Sequence, residues 1–133
     1  MGTVENKAVV SRFMNDVTTG RNFDPELIDE LCAPNLVNVA MGDADLDGFK
    51  AMGAAMLDVL KDVRVDDLEL VADGDAVFAR FNQTGTLPDG TRVTARGLAY
   101  YRLADGKIVV NDVMFSPDLL QVLGPFMAHE AQS

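Results

Sequence analysis

The fold is decided between Val65 and Phe115, where the chain reads VDDLELVADGDAVFARFNQTGTLPDGTRVTARGLAYYRLADGKIVVNDVMF. Apolar and polar residues follow a period near two in this stretch, the repeat of a strand with one buried face. Three turn signals punctuate it: Asp73-Gly74-Asp75, Pro88-Asp89-Gly90 and Asp105-Gly106. Glycine and aspartate there supply the left-handed backbone that tight hairpins require. The pattern predicts four strands, Val65–Ala72, Ala76–Thr86, Arg92–Leu103 and Lys107–Phe115, joined as an antiparallel meander.

Upstream the period is helical. Val9, Val10, Phe13, Met14 and Val17 recur at helical spacing between Glu5 and Thr19, with Gly20 as the stop. Asp24-Pro25-Glu26 reads as an N-cap with proline at the first helical position, opening a short helix through Leu31 that Pro34 ends. Leu36–Ala40 reads as a short strand. Asp47 can cap a third helix carrying one apolar stripe of Phe49, Met52, Met56, Leu60 and Val63. Downstream, Pro117 opens a short helix, Asp118–Leu123, and residues 125–133 read as a loose tail with His129 solvated. Helices followed by a meander indicate a single α+β domain over 1–133, its core at about 5–124. Long, bent strands wrapped around a helix leave a cone-shaped cavity between the layers, the place for a ligand.

Composition narrows the partners. Eleven basic and 21 acidic residues give a net charge of −10, which repels phosphate backbones and anionic lipid, so neither nucleic acid nor a membrane is expected. No apolar run reaches the roughly 20 residues of a membrane helix, and Met1–Lys7 lacks the basic start of a signal peptide. Cys32 is the single cysteine, too few for a disulfide framework or a thiolate metal site, and a cytoplasmic setting is expected. Asp43, Asp45 and Asp47 have no His or Cys to join them, so no metal is expected either.

Several stretches resemble a known family. They are Asn6-Lys7-Ala8-Val9-Val10-Ser11-Arg12-Phe13, Leu46-Asp47-Gly48-Phe49-Lys50, Ala72 to Phe81, Gly97-Leu98-Ala99-Tyr100-Tyr101-Arg102, and Asp105-Gly106-Lys107-Ile108-Val109. Their order resembles the nuclear transport factor 2-like superfold, and the motifs resemble its SnoaL-like polyketide cyclase branch. The resemblance implies a cone-shaped α+β barrel, a curved antiparallel sheet wrapped around N-terminal helices. It also implies cofactor-free cyclisation or isomerisation of a hydrophobic, carbonyl-containing, polyketide-like metabolite, in a homodimer paired through the outer sheet face. Family cyclases carry a pocket histidine and an aspartate on neighbouring strands. Gapless matching puts Ala99 and Val113 at those positions, and Val39 at a further pocket histidine. All three are apolar, which speaks against the family's usual proton transfer.

The same parity turns Ala79, Phe81, Gln83, Gly97, Ala99, Tyr101, Asn111, Val113 and Phe115 toward the cavity. Its polar members, Gln83, Tyr101 and Asn111, can orient a carbonyl or enol and stabilise an oxyanion, or can serve as ordinary satisfied core groups. Asp112 lies one residue out of phase. Strict alternation sends it to the outer face, against Arg80 or Arg96, whereas a bulge would turn it inward as a general base. The catalytic candidates are therefore Asn111, Tyr101 and Asp112. Candidates for ligand contact are Gln83, Asn38, Phe81, Phe13, Met56, Ala99, Val113 and Phe115. Arg80, Asn82, Arg96, Tyr100 and Arg102 share the opposite parity, that of a polar outer face or a dimer contact. A non-catalytic module binding an apolar ligand, or a dimerisation domain, uses the same pattern.

Overall fold

The computed structural model describes residues 2–17 and 24–132. Helix α1, Thr3–Arg12, runs on into one π-helical turn, Phe13–Val17. The wider winding of such a turn re-aims side chains, and the consecutive Phe13 and Met14 are both buried with Val10 and Val17. The stop expected at Gly20 lies outside the described residues. Asn6 is buried as well: its Nδ2 donates to the Gly74 carbonyl at 2.9 Å, while Thr3 Oγ1 accepts from Gly74 N at 3.0 Å. These two bonds fasten α1 to the Asp73–Asp75 turn.

Helix α2, Pro25–Leu31, is capped as expected, Asp24 Oδ1 accepting from Glu26 N at 3.0 Å. Strand β1 follows directly over Cys32–Asn38, earlier than the expected Leu36–Ala40. Pro34 does not separate the two elements but sits inside β1, an edge strand, where a missing N–H is tolerated. Helix α3 spans Leu46–Val59, and its cap is Asp45 rather than Asp47, since Asp45 Oδ1 accepts from Gly48 N at 2.8 Å. Leu60 and Val63, expected on the helical stripe, leave the helix: Leu60 is its extended C-cap and Val63 lies in β2, Lys61–Asp73. Both are buried in a second apolar cluster with Val59, Leu87 and Leu123, a reward that pairing of Lys61 with Thr86 makes available. Strands β3, Ala76–Thr86, β4, Arg92–Ala104, and β5, Lys107–Ser116, fall within a residue of expectation. Helix α4 runs Leu119–Gln132, well past the expected end at Leu123 and through the stretch read as a loose tail. Gly124 and Pro125 disfavour helix locally, but Val122, Phe126 and Met127 pack onto the second cluster and hold it.

The sheet order is β1-β5-β4-β3-β2, antiparallel except for the parallel pair β1–β5. Register shifts within β2, between Lys61 and Arg64 and between Asp66 and Glu69, accompany positive φ at Asp62 and Asp67. Bulges of this kind bend a long strand and increase its twist, curling the sheet around α1. Along β4 the alternation is strict: Ala95, Gly97, Ala99, Tyr101 and Leu103 are buried, and Arg96, Leu98 and Arg102 are exposed. Gly97 sits in register between Phe81 and Phe115, whose rings meet edge to face at 5.9 Å. A side chain at 97 would run into the Phe81 ring, so the glycine makes this aromatic contact possible.

Candidate functional site

Between the concave sheet face and the helices lies a cavity of about 380 Å³, within the size range of small-molecule sites. Its walls are mostly apolar: Phe13 and Met14 from the π-turn, Phe49, Gly53, Met56 and Leu57 from α3, Phe81 from β3, Val113 and Phe115 from β5, and Leu119 from α4. Phe13 stacks on Phe49 at 6.0 Å and meets Tyr101 edge-on at 5.8 Å, which fixes the inner end of the space.

Polar groups form one row across three strands. Asn38 on β1 is in register with Asn111 on β5, and Asn111 with Tyr101 on β4. All three are buried, with 2%, 4% and 1% of their surface exposed. Tyr101 donates its hydroxyl proton to Met14 Sδ at 3.1 Å, and Asn38 Nδ2 donates to Met41 Sδ at 3.0 Å. Asn111 Oδ1 is buried with no hydrogen-bond partner among the described residues. Such an orphan is uncommon in native cores.

Of the residues singled out in the sequence, Asn38, Phe13, Met56, Phe81, Gln83, Tyr101, Asn111, Val113 and Phe115 all line this cavity. Ala99 does not. It faces inward but is packed into the main core between its register partners Ala79 and Val113, its methyl too short to reach the open space. Val39 is exposed on the 3₁₀ turn Val39–Met41. Asp112 touches the cavity where the β5 edge, no longer paired with β1 beyond Asn111, forms its rim. The β4–β5 ladder is unbroken from Ser116 to Val110, so alternation carries the Asp112 side chain to the outer face, opposite Tyr100 rather than Arg80 or Arg96. The bulge that would turn it inward is absent from that stretch; the shift in this ladder lies farther along, between Arg102 and Leu103. Met41 and Leu119 are lining residues that no periodicity could pick out, one on a single 3₁₀ turn, the other brought in by a helix distant in sequence.

The sequence model of the SnoaL-like domain matches residues 10–111. The chain belongs to the SnoaL-like family. Solved structures agree on the fold. A protein from Jannaschia sp. CCS1 named for the SnoaL-like polyketide cyclases is 19% identical and superposes with a TM-score of 0.78, over 91% of this chain and 90% of that one. IdmH from Streptomyces antibioticus, also named for the polyketide cyclases, is 23% identical with a TM-score of 0.72, over 90% and 98%. A protein with a ketosteroid isomerase-like fold from Catenulispora acidiphila DSM 44928 is 18% identical with a TM-score of 0.66, over 79% and 82%. No curated protein matches the sequence. This SnoaL-like domain thus has the nuclear transport factor 2-like, ketosteroid isomerase-like architecture.

The electrostatics of this SnoaL-like cavity are those of a neutral interior. Burial, with the Cys32 thiol nearby, pushes the Tyr101 phenol well above its ordinary range, so it stays protonated at any physiological pH. Burial and the Asp29 carboxylate push the Cys32 thiol up to about 12, which leaves it inert as a nucleophile. Among the described residues, those lining the cavity include no Lys, Arg or His, and the carboxylates among them, Asp112 and Asp118, are on β5 and the turn into α4. Among the described residues no group of three His, Cys, Asp or Glu side chains is placed to hold a metal ion. Hydrogen bonding, shape and water exclusion are what this arrangement can supply.

Proposed function

We propose that this SnoaL-like protein encloses a hydrophobic, carbonyl-containing, polyketide-like metabolite and steers its cyclisation or isomerisation by fixing its conformation. The observation that carries this reading is the Asn38–Asn111–Tyr101 row, buried and facing an apolar cavity large enough for a ring system. Holding reacting atoms in near-attack geometry lowers a barrier even where no side chain moves a proton. Gln83 and Asn111 orient the substrate through their amides, and the aromatic walls exclude water. The names of the Jannaschia and Streptomyces structures support a polyketide-like substrate, and the family resemblance supports a reaction without cofactor. The test is incubation with a linear poly-β-keto thioester, with products followed by mass spectrometry. A shift toward one cyclised product, lost when Gly53→Leu fills the cavity, supports the reading; an unchanged product mixture overturns the catalytic part.

A second reading is favoured by one observation. Asp112, the nearest candidate base, lies on the outward parity of β5, as a non-catalytic binding module would allow. In that case the ligand binds and is released unchanged.

The outer sheet face suits a second copy of the chain. Val71, Phe78, Leu98 and Met114 are 69%, 54%, 58% and 70% exposed there. Register brings Phe78 beside Val71 and Tyr100, and Leu98 beside Met114 and Arg80. Apolar residues rimmed by arginines have the make-up of an interface, and a closed two-fold pair covers such a patch with itself. A cytoplasmic setting fits a chain whose one cysteine is a buried free thiol, and no described helix is long and apolar enough to cross a membrane.

A further inference from the structure

The neutral polar side chains of the cavity stand at two ends with apolar wall between them. At the inner end, Tyr101 Oη donates its one proton to Met14 Sδ at 3.1 Å, and Asn38 Nδ2 donates one of its two to Met41 Sδ at 3.0 Å. Asn111, in register with both, donates none among the described residues. Its Oδ1 is sealed away without a partner, so the amide atom that this side chain turns to the cavity is Nδ2, with its two N–H groups unspent. At the far end is Gln83, half-buried, whose amide makes no hydrogen bond among the described residues. Register measures the gap. Asn111 is opposite Tyr101 and Gln83 opposite Ala95, six positions apart on β4, or roughly 20 Å of extended strand. The curl of the sheet brings the two side chains closer than that. Between them the wall is Val113 and then Phe81 and Phe115, whose rings meet over Gly97 at 5.9 Å.

From this, and resting on the cavity as the ligand site, we infer that the ligand is an elongated, flat molecule with an oxygen at each end. One oxygen accepts from Asn111 Nδ2, the other is met by Gln83, and an apolar body lies along the Phe81 and Phe115 rings between. A ketone or a hydroxyl supplies the first oxygen, since each accepts a hydrogen bond. Gln83 carries both a donor and an acceptor, so it takes either group at the other end. An oxygen in the middle of the body would face rings that offer no partner, and a desolvated oxygen left unpaired costs more than an ordinary hydrogen bond returns. A ligand with an oxygen at one end only leaves one amide against an apolar surface, and a site built to hydrogen-bond a group discriminates against the analogue that lacks it. The two amides therefore select for the ligand's length as well as for its polarity.

The test uses the full chain and three biphenyl probes, measured by equilibrium dialysis at neutral pH. They are 4,4′-diacetylbiphenyl, with an oxygen at each end; 4-acetylbiphenyl, with one; and 4-ethylbiphenyl, with none. Each added ketone is expected to tighten binding to the wild type about tenfold. Asn111→Leu and Gln83→Met each keep the bulk and remove one amide, so in either variant the diketone and the monoketone are expected to bind alike. In the double variant all three probes are expected to bind alike, as independent ends require. The wild-type ratios decide the matter even if a variant fails to fold. Equal binding of diketone and monoketone to the wild type overturns the inference and leaves the cavity reading intact, as does a diketone preference that persists in Asn111→Leu or Gln83→Met. No binding by any probe overturns both.

Discussion

The two faces of one five-stranded sheet are built from the same strands in alternation, and they do opposite work. On the inner face, Val77, Ala79, Phe81, Tyr101 and Leu103 are buried against helices α1 and α3, and the polar groups Asn38 and Asn111 are shut away with them. On the outer face, Arg80, Leu98, Arg102 and Met114 stand in the open, charged and apolar side by side. A step of one residue changes an environment of aromatic rings, neutral amides and sulfur into one of arginines and solvent. The Asn111–Asp112 pair shows how much depends on parity: a buried neutral amide has the inward parity of β5, and its half-buried carboxylate neighbour, at the cavity rim, has the outward one.

The sharpest break of this comparison is in stability. Phe81→Ala removes an inner ring that packs on Phe115, and should destabilise the chain by about 3–5 kcal/mol; Phe78→Ala, one turn of the alternation away but exposed, should cost under about 0.5 kcal/mol in the monomer. Urea titrations of the two variants check this, and equal costs would mean that the faces are not distinct. The next effect is smaller. Gly97→Ala forces a methyl against the Phe81 ring and should cost about 1–3 kcal/mol, as overpacking does, whereas Leu98→Thr next to it should be nearly silent. Leu98→Glu instead tests the outer face for association: light scattering should return twice the mass of the chain for wild type and the single mass for the variant. A wild-type mass of one chain at micromolar concentration would remove the dimer.

The buried thiol gives a gentler test. Cys32 ionises near 9 when exposed and only at about 12 in the fold, so between those values the folded chain retains a proton that the unfolded chain has lost. Stability is then constant below about pH 9 and falls as pH rises toward 12, the sign that linkage requires for a raised pKa. Tyr101 is shifted in the same direction, again chiefly by burial. Thermal melts should show Tm declining above about pH 9, less steeply in Cys32→Ala than in wild type. Identical slopes would place the alkaline sensitivity elsewhere.

Much of this was legible before any coordinates. The period-two stretch and its Asp-Gly turns defined three strands to within a residue, and the parity of β3, β4 and β5 correctly grouped the inward residues, since alternation survives wherever a ladder is unbroken. Element ends were harder. Val63 fits a helical stripe and a buried strand equally well, and only pairing with β3 decides between them. Pro34 reads as a break and residues 125–133 as a loose tail, but an edge strand tolerates the proline and packing on the second cluster holds the tail in helix. The parallel docking of β1 beside β5 left no local mark in the sequence, and with it the meeting of Asn38 and Asn111 was invisible. Nor could the sequence show that methionine sulfurs accept hydrogen bonds from Tyr101 and Asn38, because that depends on sub-ångström placement of side chains from the π-turn and the 3₁₀ turn.

The central claim is that ligand recognition belongs to Asn111 and not to Asp112. Affinity for 2-naphthol, measured between about pH 5 and 8 on wild type, Asn111→Leu and Asp112→Asn, tests it most directly. With recognition by groups that do not titrate in that range, the wild-type profile should be flat, Asn111→Leu should weaken binding about tenfold or more, and Asp112→Asn should stay within about twofold of wild type. A sigmoidal loss of affinity on acidification, abolished together with binding by Asp112→Asn while Asn111→Leu behaves like wild type, would contradict it.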